Sequence, residues 1–106
     1  MPEFCSALPS SKKACEKLTK KEVIRAIRFM VAAEYEAIGL YTQLADSVDC
    51  EKVKAVLTDI ADEERVHAGE FLRLLYELDP KEKDFYKDGA GEVEELLEKH
   101  SGKEKE

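Results

Sequence analysis

Two stretches of the chain carry apolar residues at alternating intervals of three and four positions. The first row consists of Ile24, Ile27, Val31, Glu34, Ile38, Tyr41, Ala45 and Val48. The second row consists of Val53, Leu57, Ile60, Glu64, His67, Phe71, Leu74 and Leu78. This spacing is typical of amphipathic helices that pack along a partner helix. The pattern therefore predicts two long helices whose apolar rows face inward.

Local signals set the ends of these helices. Thr19 and Glu22 have the spacing of a capping box, which starts the first helix at about residue 20. Asp49 is a good N-cap for the second helix, after a short turn near residues 47–49. Asp79 and Pro80 end that helix at about residue 78. Because the turn is short, we expect residues 19–79 to form an antiparallel helical hairpin.

The remaining segments have weaker patterns. Residues 1–18 are predicted to be a mobile N-terminal arm, and residues 80–100 to hold short C-terminal helices separated by a loop at Asp88–Gly91. The polar residues 101–106 are predicted to be a disordered tail. The predicted fold class is therefore all-α, with two long antiparallel helices followed by short ones.

Three polar residues interrupt the apolar rows. Glu34 lies about 14 residues before the turn and Glu64 about 15 after it, so both should lie about 22 Å from the turn. His67 follows Glu64 by one helical turn. Burying these groups without partners costs several kcal/mol, and a carboxylate–imidazole set suits iron or manganese. The pattern predicts that the three side chains converge on a metal.

A single chain supplies only half of a familiar metal centre. Four-helix di-iron proteins carry a Glu from each of two helices and a Glu-x-x-His from each of the other two. The first helix also has a second row of apolar or small residues, which implies cover from more than one side. That row consists of Val23, Ala26, Met30, Ala33, Ala37, Leu40 and Leu44. We expect a homodimer with a four-helix bundle around the metal, and further assembly of dimers.

Composition excludes several other classes of protein. The net charge of −7 makes nucleic acid and anionic membranes poor partners. No apolar run approaches the roughly 20 residues that span a bilayer, and the N-terminus lacks the features of a secretory signal. Three cysteines without CxxC spacing indicate free thiols in the cytoplasm, although a bridge between Cys5 and Cys15 stays open.

Residues 32–41 and 52–71, with the Glu and the Glu-x-x-His, resemble the ferritin-like superfamily, and the short chain most resembles the encapsulated ferritins. The resemblance covers roughly residues 20–80. It implies a ferroxidase that oxidises Fe(II) with dioxygen for iron storage, with Glu34, Glu64 and His67 as iron ligands and Glu64 bridging the two irons. It also implies a role for Tyr41 near the centre and places Glu36 near acidic positions through which metal reaches the site.

The same resemblance implies assembly and location. Encapsulated ferritins commonly form a ring of five dimers, a decamer, inside an encapsulin shell, so we expect a cytoplasmic nanocompartment. Separate cargo usually ends in an apolar targeting peptide, whereas Ser101–Glu106 is polar. Targeting by another feature, fusion to a shell, and a role outside any shell therefore stay open.

Other interpretations of the site also stay open. Glu63, four residues before His67, is an alternative ligand, although it falls outside the apolar row. Glu63, Glu36, Asp59 and Asp62 form an acidic surface that either guides Fe(II) or is simply solvated. A rubrerythrin-like di-iron peroxidase and a non-enzymatic helical dimerisation module are the alternative functions. The absence of a rubredoxin-like CxxC pair excludes a full rubrerythrin.

Overall fold

Three helices follow one another along the chain. The structure is a computed structural model that describes residues 16–104. Helix α1 spans Lys20–Asp46, α2 spans Glu51–Leu78 and α3 spans Pro80–Glu104. The described residues contain no strand, which confirms the all-α class. Within them, no helix combines the length and the apolar character needed to cross a membrane.

The start of α1 follows the predicted capping box. The hydroxyl of Thr19 accepts a hydrogen bond from the backbone N–H of Glu22 at 3.2 Å. The side chain of Glu22 accepts one in return from the backbone N–H of Thr19 at 2.9 Å. Two N–H groups that the helix cannot satisfy internally are thus paired. The predicted start of the helix is confirmed.

The turn between α1 and α2 differs from its prediction by one residue. The N-cap of α2 is Cys50, whose side chain makes no capping hydrogen bond, so the prediction of Asp49 as the N-cap was wrong. Lys54 reaches back across the turn and donates to the backbone carbonyl of Ala45 at 2.9 Å. This contact ties the first turn of α2 to the end of α1, which has no basic residue in its own last turn.

On α2, the residues that pack most tightly against α1 come one position later than the predicted row. On α2 the buried residues are Ala61, Ala68 and Leu75, with exposures of 0%, 4% and 1%. They are spaced seven apart, and their small alanine side chains allow the two backbones to approach closely. The predicted row on α2, one residue earlier at Ile60, His67 and Leu74, is therefore half-buried or exposed at the edge of the hairpin. The expectation that this row faces directly inward was wrong by one residue.

Helix α3 replaces several predicted elements. The expected loop at Asp88–Gly91 and the expected disorder at residues 101–104 are both wrong, because one helix runs through them. Gly89 and Gly91 do not have positive φ angles, and a glycine inside a helix costs only about 1 kcal/mol relative to alanine. Helix-forming residues on both sides outweigh that cost. The predicted arm falls mostly outside the described residues, as do the last two tail positions.

Candidate metal centre

Helices α1 and α2 bring together the three polar residues that interrupt the apolar rows. Glu34 lies near the middle of α1, and Glu64 and His67 lie on α2, one turn apart. One ligand atom from each side chain lies within 4.8 Å of the other two. Among residues 16–104, these three form the one group of acidic, histidine or cysteine side chains that lie close enough together to hold a metal ion.

The imidazole of His67 faces both carboxylates. Its Nδ1 atom is 3.6 Å from Oε1 of Glu64 and 3.9 Å from Oε2 of Glu34. Both distances are too long for hydrogen bonds. The three side chains therefore surround a common space, and the imidazole is not hydrogen-bonded to either carboxylate.

The two carboxylates are more buried than the imidazole. The side chains of Glu34 and Glu64 are 17% and 21% exposed, whereas that of His67 is 48% exposed. The Oε2 atom of Glu34 is buried and has no hydrogen-bond partner within the described part of the chain. A buried oxygen without a partner is costly, and a cation would satisfy it.

The raised pKa of Glu34 also favours binding of a cation at this site. A side-chain hydrogen bond with Glu64, followed by burial and by the negative charge of Glu64, raises the pKa of Glu34, and His67 opposes the change. Two carboxyl groups can hydrogen-bond only when one of them carries a proton. A metal ion would take the place of that proton and hold both groups as anions.

The donor set fits a hard or borderline metal ion. Carboxylate oxygens and an imidazole nitrogen suit iron and manganese, and the site contains no thiolate that would favour softer metals. Cys50, the cysteine in the described residues, is free and exposed at the turn. Three protein donors also leave room for further ligands, as a reactive metal site requires.

The centre opens onto an exposed apolar surface. Val56 and Leu74 lie eleven and seven positions from His67, close to whole numbers of helical turns, so the three share one face of α2. Val56 and Leu74 are exposed, as are Leu40 and Leu44 on α1. The half-exposed imidazole thus lies on a face of α2 that also presents exposed apolar side chains on either side of it.

The other predicted site residues lie outside the cluster. Tyr41 is half-buried and follows Glu34 by seven residues, about 10 Å along α1. Glu63 is exposed, and Glu64, not Glu63, belongs to the cluster. Glu36 is exposed too, together with Asp59 and Asp62. Asp62 pairs with Arg65 at 2.6 Å.

The sequence pattern missed a second polar cluster, which joins α3 to α1. Arg28 donates to Glu82 at 2.5 Å and lies 3.5 Å from Asp79, and the hydroxyl of Tyr86 also donates to Glu82. The rings of Tyr76 and Tyr86 meet edge to face at 5.9 Å. Arg28 and Glu82 are 54 positions apart, and no helical period relates them.

Comparison with known proteins identifies the family. The family model described as Rubrerythrin matches residues 25–105, which include Glu34, Glu64 and His67. The chain belongs to the rubrerythrin family. The matched region contains most of α1 and all of α2, so the family match covers the whole candidate site.

Two similar proteins carry names that refer to encapsulins. The chain is 44% identical, over 78 residues, to a ferritin-like-encapsulin shell fusion protein of Pyrococcus furiosus. It is 39% identical, over 84 residues, to an encapsulin nanocompartment cargo protein of Myxococcus xanthus. These matches cover 74% and 79% of this chain, and 23% and 59% of the relatives. The chain therefore spans less than two thirds of the length of each relative.

A solved structure supports the fold. The crystal structure of the encapsulated ferritin domain from Pyrococcus furiosus matches with a TM-score of 0.77 at 40% identity, covering 83% of this chain and 90% of that one. The predicted resemblance to the encapsulated ferritins is thus confirmed. In this rubrerythrin-family chain, the ligand roles of individual residues remain predictions.

Proposed function

We propose that the protein is a ferroxidase, which oxidises Fe(II) to Fe(III) with dioxygen at a two-iron centre formed between two copies of the chain. The observation that carries the proposal is the convergence of Glu34, Glu64 and His67 within 4.8 Å. They surround a buried oxygen of Glu34 that has no hydrogen-bond partner among residues 16–104. The chemistry of this donor set matches Fe(II), and the fold matches proteins named for ferritin.

Each ligand has a distinct task in this proposal. Glu34 and Glu64 supply hard anionic oxygens, which bind Fe(III) more strongly than Fe(II) and so favour oxidation. By the resemblance to encapsulated ferritins, Glu64 would be the carboxylate that the two irons share. His67 contributes a neutral ring nitrogen, which limits the negative charge at the site. Each Fe(II) substrate gives up one electron, and two electrons with two protons reduce one dioxygen to hydrogen peroxide.

The second copy completes the centre. Di-iron carboxylate bundles use four Glu and two His residues, and one chain brings two Glu and one His to the site. A two-fold partner supplies the remainder. It would also cover the exposed Val56, Leu74 and Leu40, which are otherwise left in water. We extend the proposal to a ring of such dimers, for example a decamer.

The surrounding residues have supporting roles. Tyr41 lies about 10 Å along α1 from Glu34, on the same apolar row, and is assigned to electron transfer near the centre. The exposed carboxylates of Glu36 and Glu63 attract Fe(II) to the mouth of the site. Both roles rest on position and charge.

The names of the relatives suggest where the protein acts. One relative is named as fused to an encapsulin shell and another as nanocompartment cargo. We therefore extend the proposal to an encapsulin-type shell in the cytoplasm, in which Fe(III) is stored. Co-expression with a shell protein followed by density-gradient sedimentation tests this extension, since cargo should sediment with the shell.

The direct test of the activity is Fe(II) oxidation followed by absorbance in air. We expect Glu64→Ala and His67→Ala to lower the oxidation rate by at least about tenfold. Removing a residue that only hydrogen-bonds to a metal ligand already lowers metal affinity or activity by about that factor. Glu63→Ala is the matched control, because Glu63 is exposed and outside the cluster. Equal rates for all three variants and the wild type would remove the proposal.

A second candidate activity is reduction of peroxide by the same centre. The observation that favours it is the family match, which is to Rubrerythrin. Stopped-flow oxidation of bound Fe(II) separates the two activities. A ferroxidase reacts with dioxygen and releases Fe(III), whereas a peroxidase reacts faster with hydrogen peroxide and retains its metal.

A further inference from the structure

Tyr86 differs from the other three tyrosines of the chain in what its hydroxyl contacts. The hydroxyl donates a hydrogen bond to Oε2 of Glu82, which lies four residues earlier on α3. Within residues 16–104, Tyr86 is the tyrosine whose hydroxyl meets a carboxylate. A carboxylate held against an O–H group is positioned to accept its proton. Tyr86 and Glu82 thus form a donor and acceptor pair for a proton, away from the candidate metal centre.

Arg28 keeps the carboxylate of Glu82 ionised and oriented. It donates a hydrogen bond to Oε1 of Glu82 at 2.5 Å, on the oxygen that Tyr86 does not use. The hydrogen bond from Arg28, followed by that from Tyr86, lowers the pKa of Glu82. The side chain of Glu82 is 13% exposed. At neutral pH the acceptor is therefore unprotonated and fixed between its two donors.

The phenol of Tyr86 holds its proton until it loses an electron. The hydrogen bond to Glu82, followed by partial burial, raises the pKa of Tyr86 to about 12. The side chain is therefore neutral at neutral pH, and loss of the proton by itself is unfavourable. A phenol that has lost one electron is a strong acid, so even a carboxylate of lowered pKa takes its proton. The contact with Glu82 thus favours joint loss of an electron and a proton.

A second aromatic ring connects Tyr86 to α2. The rings of Tyr76 and Tyr86 meet edge to face, and their centroids are 5.9 Å apart. Tyr76 is half-buried and follows His67 by nine residues, about 14 Å along α2. Rings in contact exchange an electron readily. Tyr76 therefore links the hairpin to Tyr86, and among the described residues the carboxylate acceptor contacts Tyr86 and not Tyr76.

The composition of the chain favours tyrosine as the aromatic residue that is oxidised. The sequence contains no Trp, whose ring would compete for loss of an electron. Cys50, the cysteine within residues 16–104, is 26 positions from Tyr76 along α2, or about 39 Å. Its thiol lies at the opposite end of that helix. Oxidation near the carboxyl end of α2 is therefore expected to reach the tyrosine pair first.

We propose that Tyr86 is a one-electron oxidation site, with Glu82 as its proton acceptor, that reduces hydroxyl radicals formed from Fe(II) and hydrogen peroxide. Tyr86 gives one electron to the hydroxyl radical, directly or through Tyr76, and its proton passes to Glu82. The hydroxide so formed takes a proton from solvent and becomes water. A substrate Fe(II) ion then returns one electron and becomes Fe(III), while Glu82 returns the proton. The supply of peroxide rests on the proposed ferroxidase activity, whereas the oxidation site does not.

Photo-oxidation of the full chain without iron tests the oxidation site. The thiols are alkylated, the protein is illuminated with a ruthenium tris-bipyridine sensitiser and persulfate, and frozen samples are measured by electron paramagnetic resonance. We expect Tyr86→Phe to remove most of the tyrosyl radical signal. Tyr35→Phe is the matched control, because Tyr35 is 55% exposed and lies outside the tyrosine pair. A signal that Tyr86→Phe leaves unchanged would overturn the proposal.

Two further variants separate proton transfer from a merely structural contact. Glu82→Gln can accept a hydrogen bond but not the proton, so laser-flash absorbance should show tyrosyl formation at least about tenfold slower. Arg28→Gln also removes a contact that attaches α3, but it leaves Glu82 ionised at pH 7. Its rate of tyrosyl formation should match that of the wild type. Equal losses in the two variants would assign the effect to the attachment of α3 and contradict the proposal.

Rapid mixing with Fe(II) and hydrogen peroxide tests the oxidant. Freeze-quenched wild type should show the same tyrosyl signal, and Tyr86→Phe should accumulate more oxidised residues elsewhere, measured by peptide mass spectrometry. A wild type without the signal here, although photo-oxidation produces it, would overturn the role in reducing hydroxyl radicals. Ferroxidase activity is measured separately through Glu64→Ala and His67→Ala, so its failure would be distinguished from failure of the oxidation site.

Discussion

In the α1–α2 hairpin, Ala61 and Leu75 are sealed between two helices, whereas every described side chain of α3 beyond Glu82 is exposed. The hairpin is held by close apolar packing along its length. Helix α3 is attached at one end, through Arg28, Glu82 and the paired tyrosine rings. The difference explains where the candidate metal centre lies, since only the hairpin is rigid enough to hold three side chains around one space.

The largest expected effect comes from the core of the hairpin. Leu75→Ala should lower the free energy of unfolding by about 2–5 kcal/mol, because the residue is 1% exposed and its removal leaves a cavity. Val66→Ala, at an exposed position on the same helix, should change it by less than about 0.5 kcal/mol. Chemical denaturation measures both. Similar values for the two variants would mean that the hairpin has no tight core.

A smaller effect is expected at the start of the hairpin. Thr19→Ala removes the acceptor for the Glu22 N–H and should cost about 1 kcal/mol of stability. Thr58→Ala, at an exposed position inside α2, serves as the control and should be neutral or slightly stabilising. If thermal unfolding shifted equally in both, the capping box would contribute nothing.

Helix α3 should respond in the opposite direction to substitution of a glycine. Gly91→Ala should stabilise the helix by about 1 kcal/mol, because an added Cβ meets nothing within 4 Å and the backbone is helical. Amide hydrogen exchange across residues 84–102 should slow, while exchange in α1 stays unchanged. Faster exchange would indicate that these residues favour a loop, as the sequence pattern first suggested.

The smallest effect concerns the attachment of α3 in acid. The hydrogen bond from Arg28, aided by that from Tyr86, lowers the pKa of Glu82 below its ordinary value of 4.5. The attachment is therefore fully present above the ordinary pKa and is lost as pH falls through the lowered one. The effect is small because the side chain of Arg28 is 43% exposed and the contact is screened by water.

Exchange rates in the first turns of α3 measure this acid step. After correction for the intrinsic pH dependence of amide exchange, they should rise in the wild type as the pH falls through the lowered pKa of Glu82. Glu82→Gln keeps the shape of the side chain without the titration, so its exchange should show no such step. A step of the same size in that variant would assign the pH dependence to other groups.

The hairpin was largely predictable because its two patterns reinforce each other. The spacing of three and four residues predicted the two helices. Glu34 and Glu64 lie at nearly equal distances from the turn, which predicted that Glu34 faces Glu64 and His67. The innermost contact was missed by one residue, because a helix presents adjacent rows and only packing decides which becomes the core. Alanine at positions 61 and 68 settled that choice in the structure.

Helix α3 was less predictable for a different physical reason. Gly89 and Gly91 favour a loop locally, and no strong apolar period outweighs that signal. The contact of Arg28 with Glu82 joins residues far apart in the sequence, and pairing of that kind leaves no periodic trace. A helix fixed at one end by polar contacts can be recognised only after the fold has brought those groups together.

The central claim is that Glu34, Glu64 and His67 form half of an iron site completed by a second copy. Anaerobic titration with Fe(II), followed by native mass spectrometry, tests it most directly. We expect a shift to even-numbered assemblies with one Fe(II) bound per chain, and no shift for Glu34→Ala or His67→Ala, while Glu63→Ala behaves as the wild type. Equal iron binding and equal mass in all four proteins would contradict the account.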